Sequence, residues 1–156
     1  MEEKILIAGS GGQGIMFLGK ILAHTALRLN LFVTWLPAYG AEVRGGTAYC
    51  MVVISDKEIG SPYISSPDTA IFLNEPSVEK FLKKVRPRGT VFINKSLVNR
   101  KPRRKDVKIF YCNFTEQAAK LFDTRVTNIV ALAKYLKYKN IFSLKSILET
   151  IKELVG

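Results

Sequence analysis

A short apolar run followed at once by a glycine-rich turn is the feature that most restricts the fold of this chain. Residues 4–8 read KILIA, the uninterrupted apolar pattern of a strand that is covered on both faces in a parallel sheet. Residues 9–14 (GSGGQG) then turn the chain, and from 15 to 29 apolar residues recur at helical spacing. Strand, glycine turn and helix in this order predict the start of a βαβ unit.

The rest of the chain continues this alternation. Strands are predicted at 32–36, 47–55, 69–73, 90–93 and 108–111, and helices at 74–84, 115–122, 126–136 and 143–154, with Asn74 and Ser143 as caps. Pro37 is expected to end the second strand. The order predicts an α/β fold, a Rossmann-like three-layer α/β/α sandwich. Its sheet should be mixed but mostly parallel, because three strands lie between residues 32 and 73 with no helix among them.

Chain length limits the number of domains. A chain of 156 residues with 47% hydrophobic content can bury one substantial core but is too short for two ordinary domains. We therefore expect one domain over residues 1–156.

A polar crossing separates the second and third predicted strands. Glu42 and Arg44 lie there between Gly40 and the pair Gly45 and Gly46, and Tyr39 precedes them. Glycines let another backbone or a ligand approach closely, so the segment suits a binding site or an interface. The plain alternative is a tight turn in which the two charges pair with each other or face water.

The GSGGQG turn matches the G-x-G-x-x-G pattern of dinucleotide sites, in the strand-to-helix context where that pattern means most. Free N–H groups at the helix start favour a phosphate or another anion. An NAD site also needs an acidic residue at the end of the second strand, and residues 32–36 contain none, the next acid being Glu42. NAD binding is therefore disfavoured, and close packing of helix on strand is the alternative reason for the glycines.

Charge is distributed unevenly along the chain. Residues 1–78 hold 5 Lys or Arg and 7 Asp or Glu, a net charge of 5 − 7 = −2. The other 78 residues hold 19 Lys or Arg and 6 Asp or Glu, a net charge of +13, which gives the total of +11. The basic stretch at 80–108 is typical of a solvated face, but it also fits a nucleic acid, an acidic partner or a phosphorylated cofactor. Aromatic residues near it would favour nucleic acid, yet they lie in strand patterns and are expected in the core: Phe92, Phe110, Tyr111 and Phe114.

Cysteine and histidine usage gives little support for metal or thiol chemistry. Cys50 and Cys112 have no C-x-x-C spacing and are predicted to be buried free thiols, and His24 is expected on a helix surface. No run approaches the roughly 20 apolar residues of a membrane span. The start, MEEK, is acidic and unlike a secretory leader, so a cytoplasmic protein is expected.

Four segments together resemble one known family. The crossing YGAEVRGGT (39–47) is similar to the signature of the gamma subunit of the 2-oxoacid:ferredoxin oxidoreductases, the pyruvate, 2-oxoglutarate and ketoisovalerate group. The turn at 9–14, the segment ISDKEIGSP (54–62) and the pair LNEPS (73–77) and NKSL (94–97) agree with it, in the family's order. Asn128 also resembles a family asparagine, whereas Ala133 replaces the family's usual glycine.

The resemblance implies a subunit of an enzyme that oxidatively decarboxylates a 2-oxoacid to its acyl-CoA and passes electrons to ferredoxin. In that family alpha and beta subunits hold thiamine diphosphate with Mg²⁺, and iron-sulfur clusters lie on beta and on a ferredoxin-like delta subunit. This chain is expected to bind none of these cofactors alone, and its partners would be alpha, beta and delta subunits, or fused equivalents, and ferredoxin. The resemblance disfavours nucleic acid and leaves a stand-alone nucleotide-binding oxidoreductase and self-association of the isolated chain open.

The candidate site residues follow from the motifs and from this resemblance. No residue is predicted to be catalytic. The candidates for contact with substrate, coenzyme A or another subunit are Gly9, Gly11, Gly12, Gln13, Gly14, Tyr39, Glu42, Arg44, Gly45 and Gly46. Asn94 and Ser96 are further candidates, because they follow a strand at the edge where open α/β sheets place ligands.

Overall fold

The computed structural model describes residues 1–39 and 47–156, which form six strands and five helices. The strands are β1 (Glu2–Ser10), β2 (Phe32–Tyr39), β3 (Thr47–Ser55), β4 (Thr69–Phe72), β5 (Thr90–Asn94) and β6 (Lys108–Cys112). The helices are α1 (Ile15–Arg28), α2 (Glu75–Phe81), α3 (Phe114–Leu121), α4 (Thr127–Lys139) and α5 (Leu144–Val155), with 3-10 turns at Leu82–Lys84 and Thr124–Val126.

The six strands form one mixed sheet in the order β2-β3-β1-β4-β5-β6. β1, β4, β5 and β6 run parallel to one another, whereas β3 is antiparallel to both β1 and β2. The predicted mixed, mostly parallel sheet is confirmed. The carboxyl ends of β1, β2, β4, β5 and β6 therefore lie at one edge, where open α/β sheets bind ligands.

Side chains that alternate along the strands supply two separate cores. Ile5 and Ile7 of β1 face α1, α4 and α5, and Leu6 and Ala8 face α2 and the irregular segments that cover the other side. The predicted three-layer arrangement is present, but the layers differ. One is made of long helices, and the other holds a single seven-residue helix supplemented by loops.

The two predicted side-chain caps are confirmed. The Asn74 side chain accepts a hydrogen bond from the Ser77 N–H at 3.2 Å and starts α2, and Ser143 accepts one from the Ser146 N–H at 3.1 Å and starts α5. A cap of this kind satisfies one of the free N–H groups of the first helical turn. No described helix has the length and apolar character needed to cross a bilayer.

The prediction that Pro37 ends the second strand was wrong. β2 continues through Pro37 to Tyr39, and Pro37 lies opposite Cys50 of β3. A proline is tolerated there because β2 is the outermost strand, where the missing N–H need not interrupt pairing on both sides.

A buried carboxylate, Glu3, lies near the amino end of β1, at the edge of the sheet opposite the carboxyl ends of the parallel strands. Glu3 is only 6% exposed. It accepts hydrogen bonds from the Thr69 hydroxyl (3.1 Å) and the Tyr135 hydroxyl (3.2 Å), and the Lys139 ammonium lies 3.6 Å away. Burial raises the pKa of Glu3, against the opposing effect of Lys139.

This raised pKa predicts a pH dependence of stability. The folded state holds the Glu3 proton more tightly than the unfolded chain, so the contribution of Glu3 to the free energy of unfolding is greatest in acid. It falls as pH rises from about 4.5 through the folded pKa, by about 1.4 kcal/mol per unit of pKa shift. Urea unfolding of wild type and Glu3→Gln between pH 4 and 8 should show the wild type losing stability relative to the variant. A pH-independent difference would contradict this assignment.

Candidate functional site

A row of residues crosses the carboxyl edge of the sheet. The pairing register sets Tyr39 opposite Ala48, and Ala48 opposite Gly9. On the other side of β1, the Leu73 N–H donates to the Ala8 carbonyl, and one strand further Asn94 lies opposite Cys112. At about 4.8 Å per strand, Tyr39 lies roughly 10 Å from the start of the glycine turn.

The chain enters and leaves the polar crossing at this same edge. Tyr39, which precedes it, is 74% exposed, and Thr47, which follows it, pairs with Ser10 at the start of the glycine turn. The predicted site residues Glu42, Arg44, Gly45 and Gly46 lie outside the described residues. The glycine turn and the ends of the polar crossing are brought together by the order of the strands in the sheet. No local sequence pattern indicates that they are neighbours.

The glycine turn begins α1 without a side-chain cap. The Gln13 N–H donates to the Ser10 carbonyl at 3.2 Å, and Gly12 and Gly14 have φ angles of 90° and 74°, in the left-handed region that favours glycine. Gly14 is the cap residue of α1, and Gly11 and Gly12 are exposed. Because no side chain of the described residues satisfies the first N–H groups of α1, the turn is chemically suited to an anion.

Gln13 ties the turn to the neighbouring strand end. Its side-chain oxygen accepts a hydrogen bond from the Ser10 N–H at 2.7 Å, and its amide nitrogen donates to the Leu73 carbonyl at 3.3 Å. A Cβ on Gly9 would lie 2.6 Å from that same Gln13 oxygen, which accounts for a glycine at position 9. The geometry thus gives Gln13 a positioning role in the turn.

Asn94 makes the equivalent connection from β5. It is fully buried, and its amide nitrogen donates to the Leu73 carbonyl (3.1 Å) and to the Thr115 hydroxyl (2.9 Å). Its oxygen accepts from the Thr115 N–H at 3.3 Å, in the first turn of α3. Both amide atoms are therefore used inside the protein, and Asn94 supports the edge of the sheet instead of facing a ligand.

Ser96 has a similar local role. Its hydroxyl accepts a hydrogen bond from the Glu116 N–H at 3.2 Å, which satisfies another N–H group at the start of α3. Asn94 and Ser96 together hold the amino end of this helix against the end of β5.

Asn128 of α4 closes over the glycine turn. Its amide nitrogen donates to the Gly14 carbonyl at 3.1 Å, although 114 positions separate the two residues in the chain. A Cβ on Gly14 would lie 2.8 Å from the Asn128 Cγ, so the two positions are sterically coupled. The family resemblance singled out Asn128, but its contact with the turn requires the fold.

The Leu73 carbonyl is the feature that sequence reasoning missed. It accepts hydrogen bonds from both Gln13 and Asn94 and so joins β1, β4 and β5 at the candidate site. No side-chain pattern marks a backbone carbonyl. The sequence offers one hint of this contact. Gln13 and Asn94 both lie just after predicted strands, and each has an amide side chain that can hydrogen-bond to a neighbouring strand end.

The two alternative functions receive no support from this geometry. β2 ends with Tyr39, so the described end of the second strand carries no acid to hold a ribose. Phe92 and Phe114 are at most 1% exposed, and the Phe92 ring stacks on Phe110 at 5.2 Å within the protein. Rings packed in this way are not available to stack on nucleic-acid bases. The prediction of a core position was wrong for Tyr111, which is 39% exposed on the edge strand β6.

Part of the basic stretch is used internally. Arg104 donates to the Leu82 and Val85 carbonyls at 2.9 and 2.7 Å and pairs with Asp106 at 2.5 Å. Arg86 lies 2.6 Å from Asp68. Both arginines are engaged in contacts within the protein, so the net charge of the stretch overstates the positive charge that is available to a partner.

The two cysteines are far apart. β3 and β6 are separated by four strand spacings, so Cys50 and Cys112 lie roughly 19 Å apart across the sheet and cannot share a metal ion. No group of three or more His, Cys, Asp or Glu side chains suited to a metal occurs among the described residues. The prediction that both thiols are buried holds for Cys50 but was wrong for Cys112, which is half-buried because β6 is an edge strand.

This difference predicts how fast each thiol reacts. Burial raises the pKa of Cys50 to about 12. Burial also raises the pKa of Cys112, but Lys134 and Lys95 oppose that effect and the residue is partly accessible. Since the thiolate is the reactive form, Ellman's reagent should modify Cys112 first and Cys50 only on unfolding. Cys112→Ser should abolish the faster phase, and persistence of that phase would contradict the assignment.

Comparison with known proteins identifies the family of this chain. A family model described as pyruvate ferredoxin/flavodoxin oxidoreductase matches residues 4–156. The chain belongs to this family. The resemblance seen in the four sequence segments is thereby confirmed.

Curated relatives of this chain include one of similar length and one that is much longer. The 2-oxoglutarate synthase subunit KorC of Methanocaldococcus jannaschii is 33% identical over 158 residues, which cover 99% of this chain and 84% of KorC. The ketoisovalerate oxidoreductase subunit VorA of Methanothermobacter marburgensis is 44% identical over 90 residues, 58% of this chain. The matched part is only 19% of VorA, so the chain spans a small share of that relative.

Solved structures of the family have the same fold. The gamma subunit of a keto/oxoacid ferredoxin oxidoreductase from Geobacter sulfurreducens matches with a TM-score of 0.85 at 22% identity, over 97% of this chain and 83% of that one. A 2-oxoglutarate:ferredoxin oxidoreductase from Magnetococcus marinus, solved with 2-oxoglutarate, coenzyme A and succinyl-CoA, matches with a TM-score of 0.89 at 24% identity. The match covers 99% of this chain and 27% of that one. The Rossmann-like α/β prediction is confirmed.

Proposed function

We propose that this chain is the gamma subunit of a multi-subunit 2-oxoacid:ferredoxin oxidoreductase that converts a 2-oxoacid to its acyl-CoA and passes electrons to ferredoxin. The observation that carries the proposal is the alignment with KorC, which extends over 99% of this chain and 84% of that subunit. The partners are the subunits that bind thiamine diphosphate and the iron-sulfur clusters, and the complex works in the cytoplasm. Residues 1–156 act within it as one domain.

The role of the chain is to complete the assembly at the carboxyl edge of its sheet. The glycine turn at 9–14 and the ends of the polar crossing, Tyr39 and Thr47, lie side by side there. The side chains of Gln13, Asn94 and Asn128 donate hydrogen bonds that connect the residues of this edge. An edge connected in this way, with two glycine-containing sequence segments beside it, is suited to form one wall of an active-site entrance that other subunits complete.

The chemistry of the cofactors belongs to the other subunits under this proposal. Two thiols on separate strands do not fit the four cysteines of a ferredoxin-type cluster. The groups that this chain offers to an anion are the N–H groups of the glycine turn and the guanidinium of Arg44, which can grip a carboxylate or phosphate with two hydrogen bonds. They would orient the substrate carboxylate or a coenzyme A phosphate, with Glu42 fixing the contact between subunits.

A genetic test addresses the subunit role. Deletion of the gene from the native host should abolish coenzyme A-dependent dye reduction by one of pyruvate, 2-oxoglutarate or 2-ketoisovalerate in anaerobic extracts. Supplying the intact chain should restore it. Unchanged activity with all three acids in the deletion strain would overturn the proposal.

Arg44 allows a sharper test of the site. In the purified complex, Arg44→Ala should raise the KM for the oxoacid or for coenzyme A on the order of tenfold or more, because loss of a charge-assisted hydrogen bond costs about 1.5–3 kcal/mol. Arg44→Lys should recover only part of the loss, since an ammonium cannot bind in a bidentate manner. Arg103→Ala, on the exposed basic stretch, is the matched control. Unchanged assembly and unchanged KM values in Arg44→Ala would remove this role.

A further inference from the structure

A pocket with a basic lining opens at the carboxyl edge of the sheet, beside β5 and β6. Its volume is about 350 Å³, within the range of pockets that hold small ligands. The lining residues are Lys95, Val98, Asn99, Arg100, Lys101 and Tyr111. Lys95 directly follows the last residue of β5, and Tyr111 is the penultimate residue of β6. The pocket therefore lies where open α/β sheets place their ligands.

The charge of this lining has one sign. Three of its residues are cations, and none of the described residues that form it is an acid. The Arg100 guanidinium lies 3.2 Å from Glu79 and is partly neutralised. Lys95 and Lys101 are exposed and make no ion pair within the described part of the chain. Cations that converge on a cleft concentrate the positive potential there, so the pocket attracts an anion.

Hydrogen bonds within the protein hold the backbone of the pocket in place. The Lys95 N–H donates to the Cys112 carbonyl at 2.9 Å and joins the end of β5 to the end of β6. The Arg100 N–H donates to the Glu75 carboxylate at 3.1 Å, at the start of α2. The chain segments that carry the cations are thus fixed before any ligand arrives, which lowers the cost of ordering them on binding.

Tyr111 adds an aromatic surface to the pocket. Its ring is 39% exposed, because among the described strands β6 pairs only with β5. An exposed ring of this kind can stack on the flat face of a nucleobase. Asn99 contributes an amide, which can both donate to and accept from the edge of a base. Cations suited to phosphate and a ring suited to a base therefore occur in one pocket.

We propose that this pocket binds an adenine nucleotide, with Lys95 and Lys101 on its phosphates and Tyr111 stacked on its base. A free nucleotide and the nucleotide end of coenzyme A both have this chemistry, and only the second source rests on the proposed function. The site is separate from the glycine turn, because β1 and β5 are two strand spacings, roughly 10 Å, apart.

Titration calorimetry of the intact chain with ATP and with coenzyme A tests the lysines. Lys95→Ala/Lys101→Ala should raise the dissociation constant on the order of tenfold or more, because charge-assisted hydrogen bonds to phosphate are lost. Arg103→Ala/Lys105→Ala removes the same two charges from exposed positions outside the lining and should change it far less. All four side chains are largely solvent-facing, so melting temperatures should stay within a few degrees of the wild type.

The aromatic contact has its own test. Tyr111→Ala should weaken ATP by about fivefold or more and leave inorganic triphosphate unchanged, because only the base stacks. A photoreactive 8-azido adenine nucleotide should label the tryptic peptide 109–120, which contains Tyr111. Labelling of peptide 5–20 instead would place the nucleotide at the glycine turn and overturn the proposal.

The ligands themselves distinguish the two sources. Coenzyme A that binds at least tenfold more tightly than ATP, in the lysine-dependent manner, assigns the pocket to its nucleotide end, and the reverse order assigns it to a free nucleotide. No binding of either ligand at about 1 mM, or equal weakening by the two double variants, would overturn the proposal. These titrations need no partner subunit, so a failed subunit assignment would leave their result standing.

Discussion

Gly14→Ala should lower the free energy of unfolding by about 2–4 kcal/mol. Gly14 has a φ of 74°, where a side chain costs about 1 kcal/mol, and the new Cβ would lie 2.8 Å from the Asn128 Cγ. Forcing an extra methyl into a filled space typically costs a further 1–3 kcal/mol. Urea unfolding followed by circular dichroism measures the loss.

Two further variants separate the two causes. Gly11→Ala is the matched control, because a Cβ there meets nothing within 4 Å, and it should change stability by less than about 0.5 kcal/mol. Asn128→Ala in the Gly14→Ala background should recover the steric part of the loss but not the backbone part. Equal stability of Gly11→Ala and Gly14→Ala would contradict the described contact between the glycine turn and α4.

Asn94→Asp should be at least as damaging, with a loss of about 3 kcal/mol or more at pH 7. The replacement keeps the shape but removes both N–H donations, to the Leu73 carbonyl and to the Thr115 hydroxyl. It also places a carboxylate at a position with no exposed surface, beside a carbonyl oxygen. Burial should raise the pKa of the new carboxyl, so the loss should grow as pH rises from about 4 to 8.

The control for this prediction lies five residues further along. Asn99→Asp makes the same chemical change at an exposed position and should alter stability by less than about 0.5 kcal/mol at any pH in this range. A loss in Asn94→Asp that is small, or that does not depend on pH, would mean that Asn94 does not hold the strand ends together. The residue would then return to being a candidate for ligand contact.

Elements with local signals were predictable from the sequence. The bounds of β3 match those predicted for 47–55, and the caps Asn74 and Ser143 occur where expected. Each depends on residues adjacent in the chain: apolar runs, and side chains that can bond to the next turn of a helix. The mixed sheet was also predictable, because three strands follow one another without a helix of their own.

Features that depend on strand order were not predictable. Pro37 is acceptable in β2, and Cys112 is half-buried in β6, because both strands lie at edges of the sheet, and no residue near either position indicates this. The joint hydrogen bonding of Gln13 and Asn94 to the Leu73 carbonyl likewise requires β4 to lie between β1 and β5. The candidate site was therefore found as separate motifs, and the connections between them come from the fold.

The central claim, that this chain is the gamma subunit of a 2-oxoacid:ferredoxin oxidoreductase, is tested most directly by a tagged pull-down from the native host without oxygen. The eluate is assayed for dye reduction by pyruvate, 2-oxoglutarate and 2-ketoisovalerate, each with coenzyme A. We expect recovery with partners that carry thiamine diphosphate and iron-sulfur clusters, and activity on at least one of the acids. Recovery of the chain without such partners and without activity on any of the three would contradict the claim.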